Sequence, residues 1–117
     1  MQRFASAAAA AAGLSGRELT VLLVGKDRMA QLNSQFRGKN YATDVLSFEG
    51  GGVPAGGYLG DIVICPAVAA RSEALLSREL KVLILHGILH LIGYDHESDR
   101  GQMRRLELRL RRRLGLR

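Results

Sequence analysis

The order of apolar and polar residues divides the chain into strand-like and helix-like segments that alternate. Runs rich in leucine and β-branched residues predict three strands, over 18–25, 44–48 and 59–65. Alanine-rich stretches and apolar residues at helical spacing predict helices over 1–13, 27–36, 66–76, 77–92 and 98–114. This alternation predicts one α/β or α+β domain over residues 1–117, with a small mixed sheet packed with helices.

The predicted helix ends rest on a few residues. Asp27 is the predicted N-cap of the second helix, and Ser77 that of the longest one. Residues 80–92 are apolar nearly all round, which predicts a central, buried helix, and Gly93 is expected to end it. The alanine-rich start could also be a short signal peptide. Because alanine makes a weaker apolar segment than leucine, a first helix is favoured.

Composition places the chain among globular proteins with a real core. It is 47% hydrophobic and 24% charged over 117 residues. The apolar run 82–85 is interrupted by His86 and Gly87, far short of the roughly eighteen residues that span a membrane. The single cysteine, Cys65, cannot form an internal disulfide, which indicates a reducing compartment, the cytoplasm.

The positive charge is concentrated at the C-terminal end. Residues 100–117 contain eight arginines and one acid, Glu107, for a net charge of +7, whereas residues 1–99 carry −1. A localised basic stripe is typical of a surface that meets phosphates or an acidic protein. A solvated helix face is the alternative.

All three histidines lie within eleven residues, in the pattern His-x-x-x-His-x-x-Gly-x-x-His. His86 and His90 are one helical turn apart, so both imidazoles can reach one ion, and His96 follows the glycine at which the helix ends. Three imidazoles with one open position are typical of a catalytic zinc site. A closed structural site would need a fourth ligand, for which Cys65 is the only thiol.

The residue after the first histidine separates two classes of hydrolase. Extended zinc-peptidase motifs place a glutamate there as general base, and this chain has Gly87. Zinc lowers the pKa of its bound water towards about 7, so hydrolysis of a phosphodiester remains feasible without that base. Arg37 is the candidate for neutralising charge on the phosphate, its alternative being an ordinary exposed loop arginine.

Three segments, HGILHLIGYDHESD, LNSQFRGKNYATDVLSF and LGDIVICP, closely resemble the YbeY family of bacterial metal-dependent endoribonucleases. The resemblance implies a zincin-like fold with a central metal-binding helix and one Zn²⁺ held by His86, His90 and His96, although other divalent transition metals are also accepted by imidazoles. It implies cleavage of single-stranded RNA, with Arg37 as the functional arginine. It further implies maturation of the 3′ end of small-subunit ribosomal RNA and quality control of ribosomes.

This chain differs from the family sequence in one turn and at its start, and two other functions are alternative hypotheses. The family turn RGKDKPTDVLSF reads RGKNYATDVLSF here, so Asn40 and Ala42 replace an acid and a proline, and an opening strand is expected to be absent. The expected partners are single-stranded and ribosomal RNA and the small ribosomal subunit with its proteins, without a membrane. A non-catalytic assembly factor with a structural metal is the second hypothesis, and a metallopeptidase the third. Candidate RNA contacts come from the following cations: Arg37, Lys39, Arg104, Arg105 and Arg109.

Overall fold

Helices and strands alternate along the part of the chain that the structure describes. The computed structural model describes residues 2–14, 17–50, 58–69, 73–93 and 100–116. In chain order the elements are α1 (Gln2–Ala11), β1 (Glu18–Leu23), α2 (Lys26–Arg37), β2 (Val45–Glu49), β3 (Tyr58–Ile64), α3 (Pro66–Ala69), α4 (Glu73–Leu91) and α5 (Gln102–Arg113).

The three strands form a mixed sheet in the order β1-β3-β2. β1 runs parallel to β3, with Val21 opposite Ile62, and β2 runs antiparallel to β3, with Ser47 opposite the same isoleucine. β3 is therefore the central strand. Its residues from Ile62 to Ile64 are all buried, because both faces of this strand are covered. A strand covered on both faces is apolar throughout rather than at alternate positions. The prediction of a small mixed sheet packed with helices is confirmed.

Side chains that alternate along β3 belong to two separate apolar clusters, one on each face of the sheet. Ile62 and Ile64 pack in the larger cluster, which contains buried residues of α1, α4 and α5. Val63 and the following Cys65 pack in the smaller one with Met29 of α2. The sheet thus separates α2 from α4.

Helix α4 is the buried helix that the apolar pattern predicts. No residue from 80 to 92 is exposed, and Ile84, Leu85, Ile88 and Leu89 are fully buried in the larger cluster. Each such side chain contributes about 1.5–3 kcal/mol to folding when it is removed from water. This burial fixes the helix against the sheet and holds the histidines of its last two turns in place.

Two predicted helix caps are wrong. α4 begins at Glu73, so Ser77 lies inside the helix with its side chain exposed. The Glu-Ala-Leu sequence before the serine favours helix, so the helix starts four residues earlier than predicted. α2 has Gly25 as its N-cap without a side-chain hydrogen bond, and Asp27 lies in the first turn. There its carboxylate still interacts favourably with the helix dipole.

The last helix, α5, packs its apolar stripe inward as predicted. Met103 and Leu110 are buried, and Leu106 and Leu114 pack beside them at the edge of the larger cluster. The predicted start at Ser98 or Asp99 lies outside the described residues. Among the helices of the described ranges, none combines the length and apolar composition needed to cross a bilayer.

Candidate metal centre

The imidazoles of His86 and His90 face each other on α4. Their Nε2 atoms are 3.0 Å apart, and the ring centroids are 4.6 Å apart with the planes at 76°. The four-residue spacing places both side chains one above the other on the same helix face. The pair that the sequence predicts is therefore brought together by the structure.

The spacing of the two Nε2 atoms fits a shared cation. Two nitrogens bound tetrahedrally at 2.0–2.1 Å from zinc would be about 3.3 Å apart, so a small opening of the pair suffices. His96, the predicted third ligand, lies outside the described residues. Within the ranges that are described, no three His, Cys, Asp or Glu side chains form a group that could hold a metal.

Cys65 lies on the wrong side of the sheet to join this pair. Its side chain is fully buried with Met29, Leu46 and Val63 in the smaller cluster, whereas His86 belongs to the helix on the opposite face. Cys65 is therefore accounted for by packing, as a small apolar residue. A closed site with Cys65 as fourth ligand has no support in this arrangement.

A carboxylate from α5 contacts the outer nitrogen of His86. Glu107 Oε1 lies 3.0 Å from His86 Nδ1, and Glu107 Oε2 lies 3.1 Å from Arg111 Nη2. The guanidinium of Arg104 is more distant, at 3.9 Å from Oε2, and exposed. Glu107 is only 5% exposed, so it is a buried acid that bridges an imidazole and a guanidinium.

The surroundings of Glu107 keep its carboxyl ionised. The hydrogen bond with His86 lowers the pKa of Glu107 most, and the positive charges of Arg111 and Arg104 lower it further. Burial acts in the opposite direction, but the net shift is downward from the ordinary value of 4.5. Near neutral pH this oxygen pair therefore only accepts hydrogen bonds.

The structure gives a steric reason for a glycine at position 87, which the sequence does not reveal. A Cβ atom at this position would lie 3.0 Å from two side-chain carbons of Ile62, which is fully buried in β3. In addition, Ser47 Oγ of β2 approaches the Gly87 carbonyl oxygen at 3.5 Å. Position 87 therefore faces the sheet at close range, which leaves no room for the carboxylate of a peptidase base.

The turn that contains Arg37 is held by the end of α2. Gly38 has φ 69°, a left-handed conformation that suits glycine, and its N–H bonds the Ser34 carbonyl. The buried Asn33 donates from Nδ2 to the Tyr41 carbonyl oxygen at 2.8 Å, and Asn40 bonds the Ser34 hydroxyl at 3.1 Å. These bonds order the turn despite its departures from the family sequence.

The structure leaves the predicted RNA-contacting cations at the surface. Arg37 is the last residue of α2 and is exposed, as is Lys39. No hydrogen bond or ion pair between Arg37 and His86 or His90 is found among the described residues. Arg104, Arg105 and Arg109 are exposed on α5, on the side away from its buried stripe.

Glu107 and Arg111 are not among the site residues that the sequence predicts, because Glu107 stands out there only as the one acid of a basic segment. A signal for Glu107 was present in the helical spacing. Position 107 follows Met103 by four residues and precedes Leu110 by three, so a charge falls on the buried stripe. Its contact with His86, 21 residues earlier, depends on how α5 packs against α4.

Comparisons with known proteins agree with the resemblance. The family profile described as Endoribonuclease YbeY matches residues 1–115. An endoribonuclease YbeY of Solibacter usitatus is 46% identical over 86% of this chain and 69% of that protein, and one of Bordetella avium is 46% identical over 97% and 76%. The solution structure of TM1509 from Thermotoga maritima superposes with a TM-score of 0.58 at 28% identity, covering 97% of this chain and 75% of that chain. The chain belongs to the YbeY family of endoribonucleases.

Proposed function

We propose that residues 1–117 form one zincin-like, metal-dependent hydrolase domain that acts as an endoribonuclease on single-stranded RNA. The observation that carries this proposal is the pair of imidazoles on α4, whose Nε2 atoms lie 3.0 Å apart. Family membership supplies the reaction class, because the named relatives are endoribonucleases.

The proposed metal ligands are His86, His90 and His96. A zinc ion held there supplies the Lewis acidity that makes water a competent nucleophile near neutral pH. Neutral imidazoles suit zinc, and they also accept other divalent transition metals. The buried face of α4 keeps the first two imidazoles in position, and α5 covers the outer side of His86 through Glu107.

The exposed cations give the proposed contacts to RNA. Arg37 is proposed to neutralise charge that develops on the cleaved phosphate, because a guanidinium presents a planar fork of donors. Lys39 beside it, and the arginines of α5, would bind flanking phosphates. Since Gly87 is packed against Ile62, the chain has no room for the glutamate that a peptidase uses at this point.

The proposed cellular role follows from the family. It is the maturation of the 3′ end of small-subunit ribosomal RNA and the quality control of ribosomes, in the cytoplasm. The proposed partners are accordingly single-stranded ribosomal RNA and the small ribosomal subunit with its proteins. The basic face of α5 supports binding to such a phosphate-rich particle.

Cleavage assays with matched variants test the proposed reaction. Zinc-loaded protein is expected to cut a single-stranded RNA oligomer and to spare the same sequence in a duplex. His90→Ala should abolish both zinc binding and cleavage, whereas Ser77→Ala, at an exposed position of the same helix, should preserve both. Cleavage that survives chelation of the metal, or that His90→Ala retains, would contradict the proposal.

The second candidate is a non-catalytic assembly factor with a structural metal. The exposed arginines of α5 favour it, since they could dock the protein on ribosomal RNA without any chemistry. This alternative predicts that metal removal lowers the melting temperature while Arg37→Ala keeps full function in cells. Loss of function with Arg37→Ala, in protein that still binds zinc, would exclude it.

A further inference from the structure

We propose that Glu107, held by Arg111, is a positioning residue that keeps His86 in the tautomer whose Nε2 lone pair faces the metal. The inference deepens the proposed function and rests on it, because it assumes that His86 is a metal ligand. It assigns a role to the buried Glu107 and its partner Arg111 in α5, a helix that supplies none of the three predicted metal ligands.

The geometry around His86 gives each ring nitrogen a different neighbour. Nδ1 lies 3.0 Å from Glu107 Oε1, and Nε2 lies 3.0 Å from His90 Nε2. An ionised carboxylate only accepts hydrogen bonds, so Nδ1 must carry the hydrogen. A neutral imidazole has one N–H group, which leaves the lone pair on Nε2, the nitrogen that faces His90.

Arg111 determines which way a group at position 107 is oriented. Its Nη2 lies 3.1 Å from Glu107 Oε2, and its side chain is 19% exposed. A guanidinium has donors and no acceptor, so it favours an oxygen at this point. The carboxylate satisfies both neighbours, because it presents one oxygen to Arg111 and the other to His86.

Glu107→Gln separates this role from simple packing. The amide has nearly the same shape, but Arg111 attracts its single oxygen, which turns the NH₂ group towards His86. That NH₂ group needs an acceptor, so Nδ1 loses its hydrogen and Nε2 gains one. Zinc affinity, measured by competition with a chromophoric chelator, should fall about 10- to 100-fold, the usual effect of removing such a partner.

A second substitution provides the rescue. In the double variant Glu107→Gln/Arg111→Met the amide can turn its oxygen to His86, so zinc should bind at least about twofold more tightly than to Glu107→Gln alone. Glu79→Gln is the control, since Glu79 is a partly exposed glutamate of α4 whose ion pair is with Arg78. Its zinc affinity should equal that of the wild type.

The ¹⁵N shifts of the histidine rings in metal-free wild-type protein test the tautomer without any substitution. A His86 ring with its hydrogen on Nε2 would overturn the inference, as would Glu107→Gln that binds zinc like the wild type. Equal affinity of the single and double variants would also overturn it. If wild-type protein binds no zinc while His86 shows the expected tautomer, the proposed metal site fails and the hydrogen-bond assignment stands.

Discussion

His86 Nε2 lies 3.0 Å from His90 Nε2, one helical turn apart on a helix with no exposed residue from 80 to 92. The pairing depends on the four-residue spacing, and its rigidity depends on the packing of α4 against the sheet. Because helical spacing and burial of α4 already hold the two nitrogens close together, a metal bound there has little ordering of these ligands left to do.

Metal binding is expected to stabilise the fold. A ligand that binds only the folded state adds about 2.7 kcal/mol at 100 times its dissociation constant, which corresponds to a rise in melting temperature on the order of 10 °C for a chain of this size. Thermal unfolding with zinc and with a chelator measures the rise. His90→Ala should lose it and Ser77→Ala should keep it, so an equal rise in both variants would contradict a site on this histidine.

Gly87→Ala is expected to destabilise the protein, although alanine normally favours a helix by about 1 kcal/mol. Its Cβ would meet Ile62 at 3.0 Å, and such overpacking costs about 1–3 kcal/mol. Chemical denaturation of Gly87→Ala, Ile62→Ala and the double variant measures the coupling. In the Ile62→Ala background the alanine should be tolerated or stabilising, whereas purely additive effects would show that the contact with Ile62 is unimportant.

Arg37→Ala is expected to lower the turnover number for RNA cleavage by about 10²–10³, the usual effect of losing a group that stabilises developing charge. Zinc affinity should be unchanged, because Arg37 is exposed at the end of α2 and is not one of the proposed metal ligands. Arg28→Ala, at an exposed arginine of the same helix, is the matched control. If both variants cleave at the same rate, Arg37 has no special part in the reaction.

The arginines of α5 are expected to set the salt dependence of RNA binding. Arg105→Ala/Arg109→Ala removes two exposed charges and leaves Arg104 near Glu107 in place. For a single strand, the slope of log affinity against log salt should become shallower by about 1.4. The control Lys26→Ala/Arg28→Ala makes the same change in charge on α2. If the slope changes equally in both double variants, RNA binding is not localised to the α5 surface.

Tyr58 is expected to make the protein lose stability in alkali. Burial raises the pKa of its phenol above the ordinary 10.0, and the hydrogen bond that it donates to Asp61 raises it further. The folded state therefore keeps a proton that the unfolded state has released, so this contribution is complete below about pH 10 and is lost as the pH rises through the raised pKa. Urea unfolding between pH 9 and about 11.5 measures it.

The matched variants for this pH dependence are two tyrosine substitutions. Tyr58→Phe should flatten the fall in stability above about pH 10, because it removes the group that titrates. Tyr41→Phe changes an exposed tyrosine and keeps the backbone carbonyl that Asn33 uses. A fall as steep in Tyr58→Phe as in the wild type would show that other groups cause it.

Secondary structure was largely predictable because it follows from local patterns. The strand over 59–65 and the buried helix over 80–92 come from runs of apolar residues, and the structure confirms both. The caps at Asp27 and Ser77 were wrong, because a capping residue competes with the helix-forming residues around it.

In the candidate site, too, the local features were predictable from the sequence and the long-range contacts were not. The pairing of His86 with His90 was predictable from the sequence, since it needs only helical spacing. The contact of His86 with Glu107 and that of Gly87 with Ile62 were not, because they join residues more than twenty positions apart. The sequence suggested that Gly87 marks a choice of substrate, and the structure adds a steric cause.

By itself the sequence determined the order of the elements, the two facing imidazoles and the excess of arginine near the C-terminal end. These features depend on neighbours in the chain, and helical or strand geometry converts their spacing directly into position. Only the tertiary structure decided that Cys65 lies across the sheet from His86 and that Glu107 and Arg111 adjoin that imidazole. Such contacts depend on how whole helices pack against one sheet, which local spacing does not specify.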